Sequence, residues 1–491
     1  MLFNSFAFAV FFVLVTIVYF LLPHRHRYLW LLAASCYFYM YFKPEYILIL
    51  ALTILIDYYA GIWIEEQYDK KKKKKYLMLS LIANIGILAI FKYYNFINGN
   101  ITGLALLFGV NNPIPYLDII LPIGLSFHTF QAMSYTFEVY RGNQKAERHL
   151  GIYSLYVMFY PQLVAGPIER PQNMLHQFHE KQTFKYELFA SGMRLMMWGL
   201  FKKVVIADRI SLITDPIFNN PHSYSATPLV VASILFSFQI FCDFSGYSDI
   251  AIGSARVMGF KLMRNFDRPY SAKSVDEFWK KWHISLSTWF KDYLYIPLGG
   301  NRVSLPRRYI NLILVFLVSG LWHGANWTFI IWGALHSMYI VVGMLTYNIR
   351  QQIRSALLLH KVMWLENLTQ KIVTFSLVTI AWIFFRANTV DDAYYIVNKI
   401  PSFLQEFSVI THGWRTFYKN YCITIPLVSI FWTVLYIALL EFVHYYQTKI
   451  SPEQFFKQQP LFVRWSIYYC FVFCILYFGV FDNKDFIYFQ F

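Results

Sequence analysis

The sequence predicts an all-α protein that crosses a lipid bilayer many times. Hydrophobic residues make up 57% of the 491 residues and charged residues only 14%, whereas soluble chains carry about 25% charged residues. The apolar residues form repeated runs of about 20, the length that a helix needs to cross the hydrocarbon core. Such runs predict helices because a helix satisfies its backbone hydrogen bonds within one segment. Aromatic residues reach 20%, which is typical of chains with rings at two membrane interfaces.

The apolar runs define the candidate membrane helices. They are residues 2–22, 28–42, 46–64, 76–96, 116–137, 152–164, 188–206, 228–250, 309–324, 328–345, 372–385, 423–444 and 463–481. The runs 152–164 and 188–206 are short or interrupted by polar residues, so we predict that they are re-entrant or tilted. We therefore expect about 11 crossings, with re-entrant and interfacial helices beside them.

The net charge of +16 lies in short loops between apolar runs rather than in one basic patch. This pattern indicates membrane topology and contact with anionic headgroups, so the lipid bilayer is an expected partner and nucleic acid is not. Loop 97–115 has no Lys or Arg, and the positive-inside rule then predicts an extracytoplasmic N-terminus and a cytosolic segment 256–308. The lysine run 70–75 is interpreted as a topology anchor, with a lipid-binding or partner-binding patch as the alternative.

No shift in composition marks a second domain, so we predict a single transmembrane domain over residues 1–491. The last apolar run ends about ten residues before the final phenylalanine, so we expect no appended soluble catalytic domain. The five cysteines have no CxxC spacing and are interpreted as small buried residues. We expect no bound metal and no bound cofactor.

Two histidines stand in a stretch without other charged residues. Between Arg308 and Arg350 there is no Asp, Glu, Lys or Arg, but His323 and His336 are present. An ionisable side chain at membrane depth is costly, so each is a candidate functional residue. A helix that starts at Arg308 would place His323 about 22 Å further on, in the outer half of the bilayer. A neutral imidazole there could take the proton of an alcohol as a general base. A structural histidine between helices is the alternative.

The position of His336 depends on whether the chain turns. In one continuous helix it would lie about 20 Å from His323 and on a different face. If the chain turns back near residues 324–327, His336 returns to mid-membrane on the neighbouring helix. We interpret it as a supporting or structural residue.

Residues 278–293 predict an amphipathic helix that lies at the cytosolic interface. With about 100° per residue, its aromatic and leucine side chains fall within one sector of about 120°, and most of its charged residues face the other way. His283 lies at the edge of the apolar sector, where its ring can point inward. We interpret it as a second functional histidine, with simple packing at the interface as the alternative.

Further polar residues in or beside apolar runs are candidates for lining a passage. These are His128, Gln131, Asp243, Ser245 and Tyr247. For each of them, structural hydrogen bonding between helices is the alternative.

Several motifs resemble the membrane-bound O-acyltransferase (MBOAT) family, within the branch of the alginate O-acetylase membrane subunit and the membrane protein of teichoic-acid D-alanylation. The similar segments are 121–131 (LPIGLSFHTFQ), 159–168 (FYPQLVAGPI), 242–249 (CDFSGYSD), 276–293 (DEFWKKWHISLSTWFKDY), 295–302 (YIPLGGNR), 319–327 (SGLWHGANW) and 382–387 (WIFFRA). The resemblance covers nearly the whole chain, and the two segments with WHIS and WHG are the specific ones.

The resemblance implies a ring of helices around a thinned centre, where a cytosolic and an external funnel meet in a central tunnel. It implies that His323 is the catalytic base and that His283 is the second polar position of the site. Trp282, Trp322 and Asn326 flank these two histidines in the matching segments and are added as tunnel candidates. Family chemistry moves an acyl group from a cytosolic thioester to an acceptor hydroxyl, so both sides of the membrane would have to reach His323.

The sequence therefore predicts an O-acyltransferase of a bacterial inner membrane, and an O-acetyltransferase in particular. The expected donor is acetyl-CoA or an acyl carrier protein in the cytosol, used as a substrate. The expected acceptor is an exported or cell-surface polysaccharide, or a separate extracytoplasmic acetyltransferase of the SGNH type. D-alanyl transfer to teichoic acid and O-acetylation of peptidoglycan are alternatives within this chemistry. A transporter is the alternative from another class, although we find no internal repeat of the motifs.

Overall fold

The structure is a computed structural model that describes residues 1–118, 122, 124–164, 166–356, 361–422, 426–481 and 486–489. Among these residues it contains helices and no strand, so the all-α prediction is confirmed. The chain forms two compact units that alternate along the sequence. Unit 1 contains Met1–Met196 and Tyr247–Arg264, and unit 2 contains Met197–Gly246 and the described residues from Asn265 onward. The single domain over residues 1–491 stays a prediction.

Unit 1 is built from the N-terminal helices. These are α1 (Phe6–Leu21), α2 (His24–Met40), α3 (Tyr46–Glu66), α4 (Lys70–Leu88), α5 (Tyr94–Leu107), α6 (Leu125–Arg141), α7 (Leu150–Met158), α8 (Tyr160–Leu163) and α9 (Pro171–His179), followed by most of α10 (Tyr186–Leu200). Helices α3, α4 and α6 pack together. A carboxylate lies between α3 and α4, where Asp57 accepts hydrogen bonds from Ser80 (2.6 Å) and Asn84 (2.9 Å). Because a buried carboxyl group needs hydrogen-bond partners, this network fixes how the two helices pair.

Unit 2 contains the remaining helices. They are α11 (Asp208–Asn219), the larger part of α12 (Ala226–Val257), α13 (Val275–Lys281), α14 (Ile284–Phe290), α15 (Leu305–His323), α16 (Trp327–Leu345), α17 (Tyr347–Ala356), α18 (Met363–Arg386), α19 (Val390–Ser408), α20 (Trp414–Phe417), α21 (Leu427–Tyr446), α22 (Pro452–Gln458) and α23 (Leu461–Phe478). A π-helical segment, Phe201–Ala207, joins α10 to α11, and a short 3₁₀ turn, Ile487–Phe489, follows α23.

Eight helices of the described residues are long and apolar enough to cross a membrane. They are Tyr46–Glu66, Lys70–Leu107, Ala226–Val257, Leu305–His323, Trp327–Leu345, Met363–Arg386, Leu427–Tyr446 and Leu461–Phe478, with α1 as a shorter apolar helix. The protein is therefore a multi-pass membrane protein, but the expected number of about 11 crossings is not confirmed. Parts of the predicted runs 116–137 and 423–444 lie outside the described residues. The central tunnel stays a prediction.

Helices α15 and α16 form a tight hairpin that places His323 at a helix end. Helix α15 stops at His323, and Asn326 begins α16 by accepting a hydrogen bond from the Thr328 amide at 3.0 Å. The two backbones approach so closely that a Cβ added to Gly320 or Gly333 would lie 2.3 Å from a carbonyl oxygen of the other helix. Small residues at such crossings are the usual means by which membrane helices pack. The chain therefore turns back near residues 324–327, the second of the two possibilities considered for His336.

The predicted continuous helix over residues 278–293 is wrong. Helix α13 ends before Trp282, His283 has a left-handed backbone (φ 43°, ψ 56°), and α14 begins at Ile284. The predicted apolar sector is nevertheless buried, as its rings and Leu286 are all less than 10% exposed. Helix α13 packs against both α16 and α18. Both α13 and α14 therefore bury their apolar side chains in the core of unit 2, and the segment does not lie on a surface.

Candidate active site

His323 lies at the C-terminal end of α15 inside a wall of aromatic rings. The residue is 4% exposed. Its imidazole centroid lies 4.8 Å from the ring of Trp332, 4.9 Å from Trp322, 5.5 Å from Phe385 and 5.5 Å from Tyr488. In this state the imidazole is covered, so a substrate reaches it only when at least one of these rings moves.

His283 lies at the break between α13 and α14 and is completely buried. Its Nδ1 lies 3.1 Å from the side-chain oxygen of Asn265. The same oxygen accepts the hydroxyl of Ser285 at 2.9 Å, and the Asn265 carbonyl accepts the Ile284 amide at 2.9 Å. Asn265 therefore orients both the ring of His283 and the backbone that carries it.

The protonation state of His283 follows from its surroundings. Burial lowers the pKa of His283 to about 3, so the imidazole is neutral near pH 7. An amide oxygen only accepts hydrogen bonds, so the proton of the neutral ring lies on Nδ1 and donates to Asn265. The lone pair is then on Nε2.

The two candidate catalytic histidines are neighbours across one indole. The ring of Trp322 lies 4.9 Å from that of His323 and 6.3 Å from that of His283. A second chain of rings joins them, because Phe244 contacts His283 at 4.6 Å and also Tyr488 at 4.6 Å. The structure thus brings His283 and His323 together, whereas the sequence analysis placed His283 at the cytosolic interface and His323 in the outer half of the bilayer. Since both are near the end of α15 that is remote from Arg308, they do not lie at opposite edges of that helix.

His336 belongs to the layer of rings behind His323. Its Nδ1 accepts a hydrogen bond from the indole of Trp279 at 3.2 Å, and the residue is completely buried. Trp332 stands between the two histidines, 4.8 Å from His323 and 5.0 Å from His336. These contacts agree with the interpretation of His336 as a supporting residue, since it fixes α13 against α16.

Trp282 and Asn326 make structural contacts. Trp282 is 1% exposed and packs 4.9 Å from Trp382 and 5.4 Å from Phe278. Asn326 caps α16, and its amide nitrogen donates to the Asn388 carbonyl at 3.3 Å. Trp322, by contrast, contacts both candidate histidines. Of the three flanking candidates, Trp322 is therefore the one whose ring packs against both His283 and His323.

Asp243 and Ser245 lie on α12 beside two buried lysines that the sequence analysis did not single out. Lys203 places its Nζ 2.7 Å from Asp243 and 2.8 Å from Asp208, and Lys202 donates to the Ser245 hydroxyl at 2.8 Å. All five side chains are less than 6% exposed. Sequence reasoning missed the lysines because they interrupt the apolar run 188–206. A Lys pair in such a run was the available signal, since charged residues inside the bilayer are paired.

The remaining three candidates belong to unit 1. Gln131 donates to the carbonyl of Tyr156, which joins α6 to α7, and Tyr247 donates to Asn4 at 3.0 Å. His128 is 3% exposed, its Nε2 has no hydrogen-bond partner among the described residues, and its ring packs 5.7 Å from Tyr39. Gln131 and Tyr247 therefore make hydrogen bonds within unit 1, whereas the histidines of the candidate active site belong to unit 2. Their predicted tunnel roles stay predictions.

Tyr488 is a site residue that the sequence analysis missed. Its ring contacts His323, Phe244 and Phe385, the last at 5.8 Å. Hydropathy gave no signal for it, because the residue follows the last apolar run and has no local pattern. Among the described residues no group of His, Cys, Asp or Glu could hold a metal ion. The described groups around the two candidate histidines are aromatic rings and the side chains of Asn265 and Ser285.

The low pKa of His283 predicts a pH dependence of stability. In the unfolded chain the His283 imidazole has its ordinary pKa of about 6.5, whereas in the folded chain its pKa is about 3. The contribution of His283 to the free energy of unfolding is therefore fully present above pH 6.5 and is lost as the pH falls from 6.5 toward 3. Lowering the pH from 7 to 5 should cost the wild type about 2 kcal/mol more than the His283→Asn variant. Unfolding in detergent at pH 7, 6 and 5 measures this difference. Equal slopes in the two proteins would contradict the neutral, buried imidazole.

The chain is similar to one known protein family and to several known proteins. The model of the MBOAT, membrane-bound O-acyltransferase family, matches residues 36–386. The chain is 38% identical to the probable alginate O-acetylase AlgI of Pseudomonas aeruginosa over 82% of this chain and 75% of that protein. It is 38% identical to the peptidoglycan O-acetyltransferase of Helicobacter pylori over 74% of this chain and 72% of that protein. It is 30% identical to the teichoic acid D-alanyltransferase of Streptococcus thermophilus over 45% of this chain and 56% of that protein. A chain with these matches and this all-helical fold is an acyltransferase, and it belongs to the membrane-bound O-acyltransferase family.

Proposed function

We propose that the protein transfers an acetyl group from a cytosolic thioester to a hydroxyl group on the other side of the membrane. The acceptor is an exported or cell-surface polysaccharide, or a partner acetyltransferase that passes the group on to one. The single observation that carries the proposal is the pair His283 and His323, which share the ring of Trp322 within unit 2. Acetyl is favoured over D-alanyl because the two O-acetylating relatives match about three quarters of this chain, whereas the D-alanyltransferase matches 45%.

His323 is proposed to act as the general base. An alcohol hardly ionises at neutral pH, so its attack on a thioester is accelerated by a base that takes its proton, typically by about 10²–10⁴-fold. The acceptor oxygen attacks the thioester carbonyl carbon while the imidazole takes the hydroxyl proton. When the carbon–sulfur bond breaks, the sulfur takes that proton from the imidazolium. The products are an ester and a free thiol, and His323 returns to its starting state.

His283 is proposed to position the donor thioester. Its Nδ1–H is held by Asn265 at 3.1 Å, so Nε2 is fixed as a hydrogen-bond acceptor. A donor such as acetyl-CoA or an acyl carrier protein presents amide N–H groups along its pantetheine arm, and Nε2 can accept from one of them. Such a contact would place the thioester carbon on the Trp322 side of the site, beside His323.

The orientation in the membrane is part of this proposal. Arg307 and Arg308 lie in the first turn of α15 and His323 in its last. A helix of this length spans about 28 Å, close to the hydrocarbon thickness, so the two ends lie near opposite interfaces. With the arginines in the cytosol by the positive-inside rule, His323 lies toward the outer leaflet and the N-terminus is extracytoplasmic. The host membrane is then a bacterial inner membrane.

The proposal has three versions, which differ in the partner and the acceptor. A separate extracytoplasmic acetyltransferase of the SGNH type is the partner that we expect for a polysaccharide acceptor. Peptidoglycan is the second candidate acceptor, favoured by the Helicobacter pylori relative at 38% identity. D-alanyl transfer to teichoic acid from a carrier protein is the third.

Deleting the protein and releasing base-labile acyl groups from the isolated cell envelope tests the function. We expect acetate to disappear from the polysaccharide fraction and to return when the wild-type chain is supplied. The identity of the released acid distinguishes the versions of the proposal. Loss of D-alanine from teichoic acid would overturn acetyl transfer. Loss of acetate from the peptidoglycan fraction alone would change the acceptor. An envelope whose acyl content does not change would contradict the proposal as a whole. Transport of a solute that survives without His323 would instead favour a transporter.

A further inference from the structure

The described C-terminal residues lie directly on the candidate catalytic base. Phe486 and Ile487 are 0% and 4% exposed, respectively. The next side chain, Tyr488, places its ring 5.5 Å from His323 and 4.6 Å from Phe244. The short turn Ile487–Phe489 is thus part of the wall around His323. Whatever fixes this turn also fixes one face of the site.

A buried carboxylate on α12 holds the backbone of this turn. The Ile487 amide donates to Asp243 Oδ2 at 2.8 Å. The other oxygen of Asp243 lies 2.7 Å from the Lys203 ammonium, which also lies 2.8 Å from Asp208. Upstream, the chain is attached to the same π-helical segment, because the Val480 amide donates to the Val204 carbonyl at 3.0 Å. The C-terminal residues are therefore held at two points, on Asp243 of α12 and on Val204 of the π-helical segment.

The cost of this arrangement indicates a specific role. Removing a carboxylate and an ammonium from water is expensive, and a well-packed apolar pair is often as stable. A carboxylate can, however, do what an apolar side chain cannot, which is to accept a backbone N–H through a strong, charge-assisted hydrogen bond. That bond lies one residue before Tyr488, so it sets which side chain faces His323.

We propose that Asp243, oriented by Lys203, is a positioning residue that holds the C-terminal turn so that Tyr488 closes the site over His323. This inference rests on the proposed function for its kinetic consequence, but not for its structural one. Asp243 acts on the reaction through the backbone amide of Ile487, and Lys203 acts through Asp243. The tunnel role of Asp243 stays a prediction beside this positioning role.

Hydrogen exchange in the purified full-length protein tests the structural part. Asp243→Ala should increase the exchange rate of the peptide that contains Ile487 by about 10- to 100-fold, the factor expected when a hydrogen bond to a charged acceptor is lost. The matched control is Asp215→Ala, which removes a carboxylate 3.1 Å from Arg386 in the same unit. The control should leave exchange at Ile487 unchanged. Unchanged exchange in Asp243→Ala would overturn the inference, whatever reaction the protein performs.

A second variant removes the donor and keeps the ion pair. Proline has no N–H, and Ile487 is the first residue of its turn, where proline is tolerated. Ile487→Pro should lower acyl transfer at least 10-fold while the melting temperature of the protein stays within a few degrees of the wild type. Full transfer activity in this variant would contradict the positioning role even if Asp243→Ala fails to fold.

A double-mutant cycle separates positioning from a general loss of structure. If Asp243 acts through the C-terminal turn, Asp243→Ala should lower transfer in the wild type but add nothing once Tyr488 is changed to alanine. Losses that multiply in the double variant would show that Asp243 acts by another route, and the inference would fail. A further outcome is that neither Asp243→Ala nor Tyr488→Ala affects transfer, while hydrogen exchange at Ile487 rises in Asp243→Ala. In that case the hydrogen bond from Ile487 to Asp243 would be supported, and the proposed site of reaction would be wrong.

Discussion

Replacing His323 with alanine should abolish acyl transfer while the protein remains folded in the membrane. The variant removes the imidazole that is proposed to take the acceptor proton, and loss of a general base typically lowers the rate by about 10²–10⁴-fold. Its neighbours are large rings, so the cavity left behind is bounded by Trp332 and Phe385. The measurements are the acyl content of the surface polysaccharide in cells and thioester-dependent transfer by the purified protein.

The control for this variant is the other buried histidine of the same hairpin. In the wild type, His336 accepts a hydrogen bond from the indole of Trp279 at 3.2 Å. His336→Asn keeps a hydrogen-bond acceptor for that indole. We expect it to retain transfer within about 10-fold of the wild type, because loss of one neutral hydrogen bond costs only about 1 kcal/mol. Normal acylation in His323→Ala would remove His323 from the mechanism. Equal losses in both variants would point to a structural role for the hairpin instead.

Replacing Gly333 with alanine should destabilise the hairpin, because the added methyl group has no space between α15 and α16. A Cβ at this position would lie 2.3 Å from the carbonyl oxygen of Phe316, which cannot move without displacing α15. Overpacking of this kind costs about 1–3 kcal/mol or more. Because α15 ends in His323, separating the hairpin also moves the catalytic base away from Trp332. We expect a lower melting temperature and lower transfer activity.

The same helix offers a matched control. Gly343 also lies on α16, but a Cβ there would meet no atom within 4 Å. Gly343→Ala should be neutral or should stabilise the protein by up to about 1 kcal/mol, because alanine favours the helix. Melting of both variants in detergent gives the comparison. A Gly333→Ala protein that is as stable as Gly343→Ala would show that α15 and α16 are less tightly packed than the structure indicates.

The features that were predicted correctly have local signals in the sequence. Long apolar runs identified the two helices of the hairpin as separate spans on either side of residues 324–327. The resemblance to the family motifs pointed to His283 and His323, whose roles stay predictions. Each of these signals lies within a few residues of the feature that it predicts.

The features that were missed depend on distant contacts. The break at His283 is invisible to periodicity, because the aromatic residues on both sides still fall in one sector of a helical wheel. Tyr488 meets His323 only through the folded chain, and Lys203 is neutralised by Asp208 and Asp243 from two other helices. The number of crossings stays a prediction, because short buried helices such as α7 are as apolar as membrane-spanning ones. Hydropathy measures contact with an apolar surrounding and does not distinguish lipid from protein.

The left-handed backbone at His283 affects how any substitution there has to be interpreted. Among residues with a side chain, Asn, Asp and His adopt this conformation most readily, and others pay about 1 kcal/mol or more for it. Alanine at position 283 would therefore strain the chain as well as delete the ring, and an inactive alanine variant would not identify the chemistry. A side-chain amide fits the same torsion angles, so comparing asparagine with histidine isolates what the imidazole contributes. A preference for these three residue types at such a position would arise from backbone geometry even where no proton is transferred.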